Sequence, residues 1–360
     1  MRPKAGRNDV PVSAALIFLR YKGRILLWQN AGYVEIRIFG GTELLNELKI
    51  AFCFDEKLTA QVQAAVSSLL GQTRADGVNC HVYCVCTKEA AGVEAKLQRI
   101  VRTEEYKDKL TVVPVDNPYQ GAYEVRGISA GTYLRLMLHR LLPEVDRILY
   151  MDVDVLVCGS LLPVWQADLG DAVLAAVKGA VNLSDKWEWN SPRPYWKHLE
   201  PMRGRYINAG VTLLDLSKIR ERNLEEQWKK WAKEKLYYQD QDILNITCRD
   251  AIYYLPPRYN RLAYMSEADY AGFVREGIFT EQECEEALAS PVIIHYAGDK
   301  PWKRYDTNLG DRWWTYVNSR PELKGLFDEA AARRYHGPTI LERGLRKLTN
   351  IKEERRRLGK

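Results

Sequence analysis

A chain of 360 residues with 46% hydrophobic content can build one large domain with appendages, or two ordinary domains. Its formal charge of +6 is concentrated at one end: residues 341–360 carry eight Lys/Arg against three Asp/Glu, which leaves a nearly neutral body. That distribution excludes a nucleic-acid-binding body and points to a basic tail on a neutral enzyme. No apolar run reaches the ~18–20 residues that a membrane-spanning helix needs. The seven cysteines are odd in number. Three of them, Cys80, Cys84 and Cys86, sit in a stretch that reads as a core strand without a partner Cys/His pair at zinc spacing. Reduced, buried thiols and a cytoplasmic compartment follow.

In chain order, residues 12–19, 24–28 and 33–39 read as short strands separated by Lys22-Gly23 and Asn30-Ala31-Gly32 turns. Residues 1–46 are therefore expected to form an extension, a small meander with no catalytic role. The main domain is expected over 47–318. A strand at 48–54 is followed by a helix from 60 to 70 with apolar residues at Val62, Ala65, Val66, Leu69 and Leu70, and Gly71 as its stop. Strand 81–86, helix 89–101 and strand 110–115 come next, then a loop over 117–127. Residues 128–142 read as a helix capped by Ser129 and stopped by Pro143. Alternation of strands and helices predicts an α/β doubly wound sheet, whose ligands bind at the carboxyl ends of the strands. Asp55, Asp152 and Asp154 fall there.

Residues 147–157 are apolar enough for one buried strand, interrupted only by Asp152 and Asp154. On a strand, side chains two apart share a face, so the two carboxylates would project together. Adjacent like charges on buried backbone require a cation, and a hard divalent ion with oxygen ligands is the simplest. A strand at 172–177 precedes a long irregular stretch at 180–205, rich in aromatics: Trp187, Trp189, Tyr195 and Trp196. Its length suggests function and its aromatic density argues against disorder. Residues 206–216 return to strand, 217–236 to helix, and 251–255 to strand.

Four pieces then stand in order: Asp152-Val153-Asp154, Asn208-Ala209-Gly210, Asp240-Gln241-Asp242, and the His295-to-Trp302 segment. Together with the helix carrying Arg135, they resemble glycosyltransferase family 8, over roughly residues 49–314. The resemblance implies a GT-A fold, a Rossmann-like mixed sheet flanked by helices, and retaining transfer of galactose or glucose from a UDP-sugar to a saccharide or glycolipid acceptor, as in lipopolysaccharide or other cell-surface glycan synthesis. It implies Mn²⁺ or Mg²⁺ held by Asp152, Asp154 and His295. Asp55 would contact uracil, Gly298 and Lys300 the phosphates, and Arg135, Asn208, Asp240 and Gln241 the donor sugar. Only Asp299 separates Gly298 from Lys300-Pro301-Trp302, one residue fewer than the family usually has. An amide at 241 is a poor nucleophile, which favours front-face attack with Gln241 beside an oxocarbenium-like centre. Trp187, Trp189, Tyr195 and Trp196 would offer flat faces to the acceptor. Two competing readings are a haloacid-dehalogenase-like Mg²⁺ phosphatase using the Asp-x-Asp strand, and a non-catalytic sugar-binding module. Residues 319–360 are expected to be a basic helical tail, with Leu341, Leu345 and Leu348 at helical spacing among basic residues. Such a tail suits the inner face of the cytoplasmic membrane.

Overall fold

A computed structural model describes residues 18–21, 24–29, 32–37, 47–102, 105–116, 130–183 and 196–335. The chain divides into two units, 1–46 and 47–360. The first contains an antiparallel meander of β1 (Phe18–Tyr21), β2 (Arg24–Gln29) and β3 (Gly32–Arg37).

The second unit is built on a seven-stranded mixed sheet. Its strands are β4 (Glu47–Phe54), β5 (Asn79–Thr87), β6 (Lys109–Val115), β7 (Arg147–Met151), β9 (Leu174–Lys178), β10 (Ile207–Asp215) and β11 (Ile252–Leu255). Their order in space is β11-β9-β10-β7-β4-β5-β6. The strands β4, β5, β6 and β7 run parallel, while β10 is antiparallel to both β7 and β9. A second sheet of three short strands, β8 (Val155–Val157), β12 (Arg261–Leu262) and β13 (Ile293–His295), is ordered β12-β13-β8. Near-continuous apolar runs in β4, β5 and β7 match burial on both faces, as a parallel sheet covered by helices requires. Cys80, Cys84 and Cys86 are buried and free in β5, and burial pushes the Cys84 thiol well above its ordinary range.

Several local expectations change. Residues 147–157 are not one strand. β7 stops at Met151, the backbone bends through Asp152 and Asp154, and β8 resumes in the other sheet. The Asp152 N–H still donates to Gly210 of β10 at 2.8 Å, whereas the Asp154 carbonyl already accepts from Tyr296 at 2.8 Å. The motif is therefore a crossover between sheets, and the period-two argument for a shared face does not apply to it.

The helix expected to stop at Gly71 runs from Thr59 to Ala75. It turns instead at Gly77, whose φ of +69° is left-handed. Within 128–142, a 3₁₀ helix, Ala130–Met137, widens into a single α-turn, Leu138–Leu141. Ser129 and residues 117–127 lie outside the described residues. The helix expected over 217–236 is two, Leu216–Glu221 and Leu224–Trp231, separated by left-handed Asn223. Packing continues past the expected boundary at 318. Leu323 and Ala332 are buried in one cluster with Ala64, Leu156, Ile294, Trp313 and Trp314, so the segment to about 332 belongs to the body. Residues 341–360 lie outside the described residues.

Candidate active site

The crossover places Asp152 and Asp154 at the carboxyl edge of β7, and the small sheet brings His295 to them. In that sheet His295 pairs with Val155, the residue after Asp154. One ligand atom from each of Asp152, Asp154 and His295 lies within 4.8 Å of the others, the one such group of metal-binding side chains among the described residues. His295 Nε2 stands 3.6 Å from Asp152 Oδ2 and 3.3 Å from Asp154 Oδ1. Two carboxylates and an imidazole suit a divalent ion of intermediate hardness. The backbone leaves room for the group only because residue 210 is glycine. A Cβ there would overlap the His295 ring and come within 2.8 Å of Asp152 Oδ2.

The surrounding charges are arranged around this triad. Arg135, buried on the 3₁₀ helix, donates from Nη2 to Asp152 Oδ1 at 2.8 Å and from Nη1 to the Ala209 carbonyl at 2.7 Å. Its Nε lies 2.8 Å from Asp240 Oδ2, so one guanidinium bridges two carboxylates. Its plane covers the Tyr150 ring at 4.3 Å, and the Tyr150 hydroxyl donates to Asp152 Oδ1 at 2.5 Å. Thr132 donates to Asp240 Oδ1 at 2.6 Å. Burial pushes the Asp240 carboxyl up, and Arg135 and Thr132 offset this only in part. Burial also opposes ionisation of Asp154, but Lys300 and His295 more than reverse it and hold that carboxyl well below the usual range.

Lys300, expected at the phosphates, pairs directly with Asp154 Oδ2 and donates to the Tyr296 carbonyl at 2.7 Å. Gly298 takes a φ of +89°, a conformation that strains other residues. Asp55 follows β4 at the same sheet edge, where its side chain accepts from the Lys57 N–H at 3.0 Å.

Asn208 and Gln241 meet across a β-bulge. The β10–β9 register shifts between Asn208 and Thr212, which takes residues 209–211 out of the β9 ladder. Gln241 Oε1 accepts from Asn208 Nδ2 at 3.1 Å and from the Ala209 N–H at 3.0 Å, and its Nε2 donates to the Tyr206 hydroxyl at 3.1 Å. Tyr206 donates in turn to Asp242 at 2.6 Å. The residue before the helix Asp240–Thr247, Gln239, has φ +47° and ψ −119°, a costly backbone for a residue with a side chain. Strain of this kind collects where the surrounding structure enforces a functional geometry.

Eight expected residues thus form one connected group: Arg135, Asp152, Asp154, Asn208, Asp240, Gln241, His295 and Lys300. Trp196 departs from expectation. It is 3% exposed and packed in the main core, because it opens the short helix Trp196–Leu199 on its buried side. It therefore cannot offer a face to a sugar. Trp187, Trp189 and Tyr195 lie outside the described residues. Thr132, Tyr150 and Asn260 were not anticipated. The signal for Tyr150 was available, since it precedes Asp152 by two positions.

Comparison with known proteins identifies the group. A family model for glycosyl transferase family 8 matches residues 49–306. The lipopolysaccharide 1,2-glucosyltransferase of Escherichia coli (strain K12) is 25% identical over 272 residues, covering 72% of this chain and 73% of that protein. Glycosyltransferase GlyF of Streptococcus pneumoniae serotype 4 is 30% identical over 195 residues, but these are 52% of this chain and 42% of that one. The crystal structure of galactosyltransferase LgtC with donor and acceptor sugar analogs superimposes with a TM-score of 0.62 at 25% identity, covering 78% of this chain and all of LgtC. The chain belongs to glycosyl transferase family 8. It has the GT-A fold and is a retaining, UDP-sugar-dependent hexosyltransferase with a divalent metal site and a saccharide acceptor. The phosphatase and sugar-binding-module readings fall away.

Proposed function

We propose that this family 8 enzyme moves galactose or glucose from its UDP derivative to a saccharide of a cell-surface glycan such as lipopolysaccharide, with Mn²⁺ as its ion. The observation that carries this reading is the Asp152–Asp154–His295 triad set against the bulge that holds Asn208 and Gln241. The E. coli relative acts on lipopolysaccharide by its name, and the LgtC complex held donor and acceptor sugar analogs.

When bound, the ion would neutralise charge on the departing diphosphate. The protein's own residues do the rest. Asp55 contacts uracil. Lys300 would move from Asp154 to the β-phosphate, and the open backbone at Gly298 would admit that phosphate. Arg135 keeps Asp152 and Asp240 in register with one another. Asp240, desolvated, accepts hydrogen bonds from donor-sugar hydroxyls. The Gln241 amide is fixed by three contacts, so its dipole beside the anomeric carbon needs no reorganisation as positive charge develops. Attack comes from the face the diphosphate leaves, and the departing β-phosphate takes the acceptor proton.

Trp187, Trp189 and Tyr195 serve as the acceptor's stacking faces. The basic 341–360 tail brings the enzyme to an anionic membrane surface where a lipid-linked acceptor would lie.

The test is calorimetric titration of UDP with and without Mn²⁺, alongside thermal shifts with UDP-galactose and UDP-glucose. Asp152→Ala and Asp154→Ala should each abolish Mn²⁺-dependent UDP binding and transfer while the protein stays folded. Undiminished Mn²⁺-dependent affinity in both variants refutes the metal assignment.

A further inference from the structure

His295 can ligate an ion only through a bare Nε2, because Nε2 is the nitrogen that faces Asp152 and Asp154. Its other nitrogen, Nδ1, lies 2.9 Å from Oδ1 of Asn260. Asn260 is 2% exposed and directly precedes β12, the strand beside His295 in the small sheet. From the other end of the same side chain, Nδ2 donates to Asn208 Oδ1 at 2.8 Å.

An amide can be turned over, so the assignment of O and N needs an anchor. Two backbone N–H groups, which can only donate, supply it. The Gly210 N–H donates to Asn208 at 3.0 Å, so that atom of Asn208 is oxygen. The Ala209 N–H donates to Gln241 at 3.0 Å, so the facing atom there is also oxygen and receives Nδ2 of Asn208. The Asn260 atom that meets the Asn208 oxygen must then be nitrogen. Its remaining atom is oxygen, and an oxygen facing imidazole Nδ1 requires that Nδ1 carry the proton. The sequence of donors from β10 through three amides assigns the Nδ1 proton and leaves Nε2 as the nitrogen between the two carboxylates, the one that an ion would meet.

We infer that Asn260 is a positioning residue. It fixes the tautomer and ring angle of His295 for the ion, and through Asn208 it ties that histidine to Gln241. This rests on the metal reading of the triad. Partners behind a ligating histidine typically hold about 10–100-fold in metal affinity.

The experiment separates the two arms. Asn260→Ala removes both and should weaken Mn²⁺ binding to the UDP-saturated enzyme at least tenfold by calorimetry. Asn260→Asp keeps an acceptor for Nδ1 but sets oxygen against the Asn208 oxygen. It should hold Mn²⁺ affinity within about threefold of the parent and lower kcat through the Gln241 arm. A purely structural Asn260 predicts instead that N260D loses as much metal affinity as N260A, or that N260A loses less than twofold, and either result overturns the inference. Should N260A fail to fold, nitrogen NMR of the parent with UDP and diamagnetic Mg²⁺ decides: a His295 with Nδ1 protonated and Nε2 bare supports the assignment, and one with Nε2 protonated and Nδ1 bare overturns it. If the parent binds no Mn²⁺ at all, the metal reading falls and this inference with it; if the parent binds Mn²⁺ and only the variants disagree, the metal reading stands.

Discussion

On the metal reading, Lys300 would compete with the ion for one carboxylate. Lys300 pairs with Asp154 Oδ2, and together with His295 it holds Asp154 ionised against its burial. Removing one member of such a pair leaves a half-buried charge facing only His295, at a cost of a few kcal/mol. Lys300→Met should therefore lower the metal-free melting temperature, tighten Mn²⁺ binding several-fold, and raise the KM for UDP-sugar because the phosphate loses its lysine. Unchanged or weaker Mn²⁺ binding in this variant counts against the competition. Gln241 is argued differently. Its amide is held by Asn208, Ala209 and Tyr206, so Gln241→Ala should lower kcat far more than it lowers donor affinity. Parallel collapse of both parameters would make Gln241 a binding residue. At this scale Asp152 and Asp154 are legible as acids amid apolar flanks, whereas His295, Arg135, Asn208, Asp240, Gln241 and Lys300 stand out only through the resemblance to the family. Thr132 and Asn260 stand out in neither way. A Thr inside a helix pattern and an Asn after Pro-Arg-Tyr each have common local explanations, and only the fold reveals that one reaches Asp240 and the other His295. Trp196 was misassigned because aromatic density does not say which ring faces inward.

The elements that build the site are the crossover between sheets and the bulge in β10, and neither has a strong sequence signature. An apolar run of eleven residues with two acids reads as one strand, since periodicity carries no information about which sheet a residue joins. The chain instead changes sheets within the motif, and this is what turns Asp152 and Asp154 toward one ion despite the lost alternation. The bulge answers it from β10, whose Gly210 carbonyl still accepts from Asp152. Gly210 is the position where these elements touch, so Gly210→Ala is the sharpest probe of the arrangement. The new methyl would overlap the His295 ring and crowd Asp152. Overpacking of this kind costs about 1–3 kcal/mol. We expect a lowered melting temperature together with more than tenfold loss of Mn²⁺-dependent UDP affinity. A variant that melts lower yet binds UDP and Mn²⁺ as the parent does would mean that the ring can move aside without cost to the site.

For the molecule as a whole, the alternation of strands and helices was enough to give a doubly wound α/β body, but its end was not legible. The stretch after 318 is rich in Arg, Lys and Glu and reads as tail, yet Leu323 and Ala332 are buried beside Trp313 and Trp314. Leu323, Leu326, Phe327 and Ala332 are spaced too irregularly in a charged segment to give a periodic signal, although each removes area from water once packed. This shift in the boundary decides how the membrane proposal is tested. Truncation after 318 would strip Leu323 and Ala332 from the core, and burying a leucine is worth about 1.5–3 kcal/mol. Such a protein should melt lower and could lose vesicle binding for that reason alone. Truncation after 340 keeps both residues and removes eight Lys/Arg and three Asp/Glu. Basic residues near an anionic leaflet contribute about 1 kcal/mol each. The shorter protein should therefore keep its melting temperature and its Mn²⁺-dependent UDP binding, and lose most cosedimentation with anionic vesicles at low salt. The full chain should lose the same binding as salt rises, since screening shortens the reach of these charges. If the truncated protein still pellets with anionic vesicles as the full chain does, the tail is not the anchor, and the surface that binds them belongs to the rest of the chain.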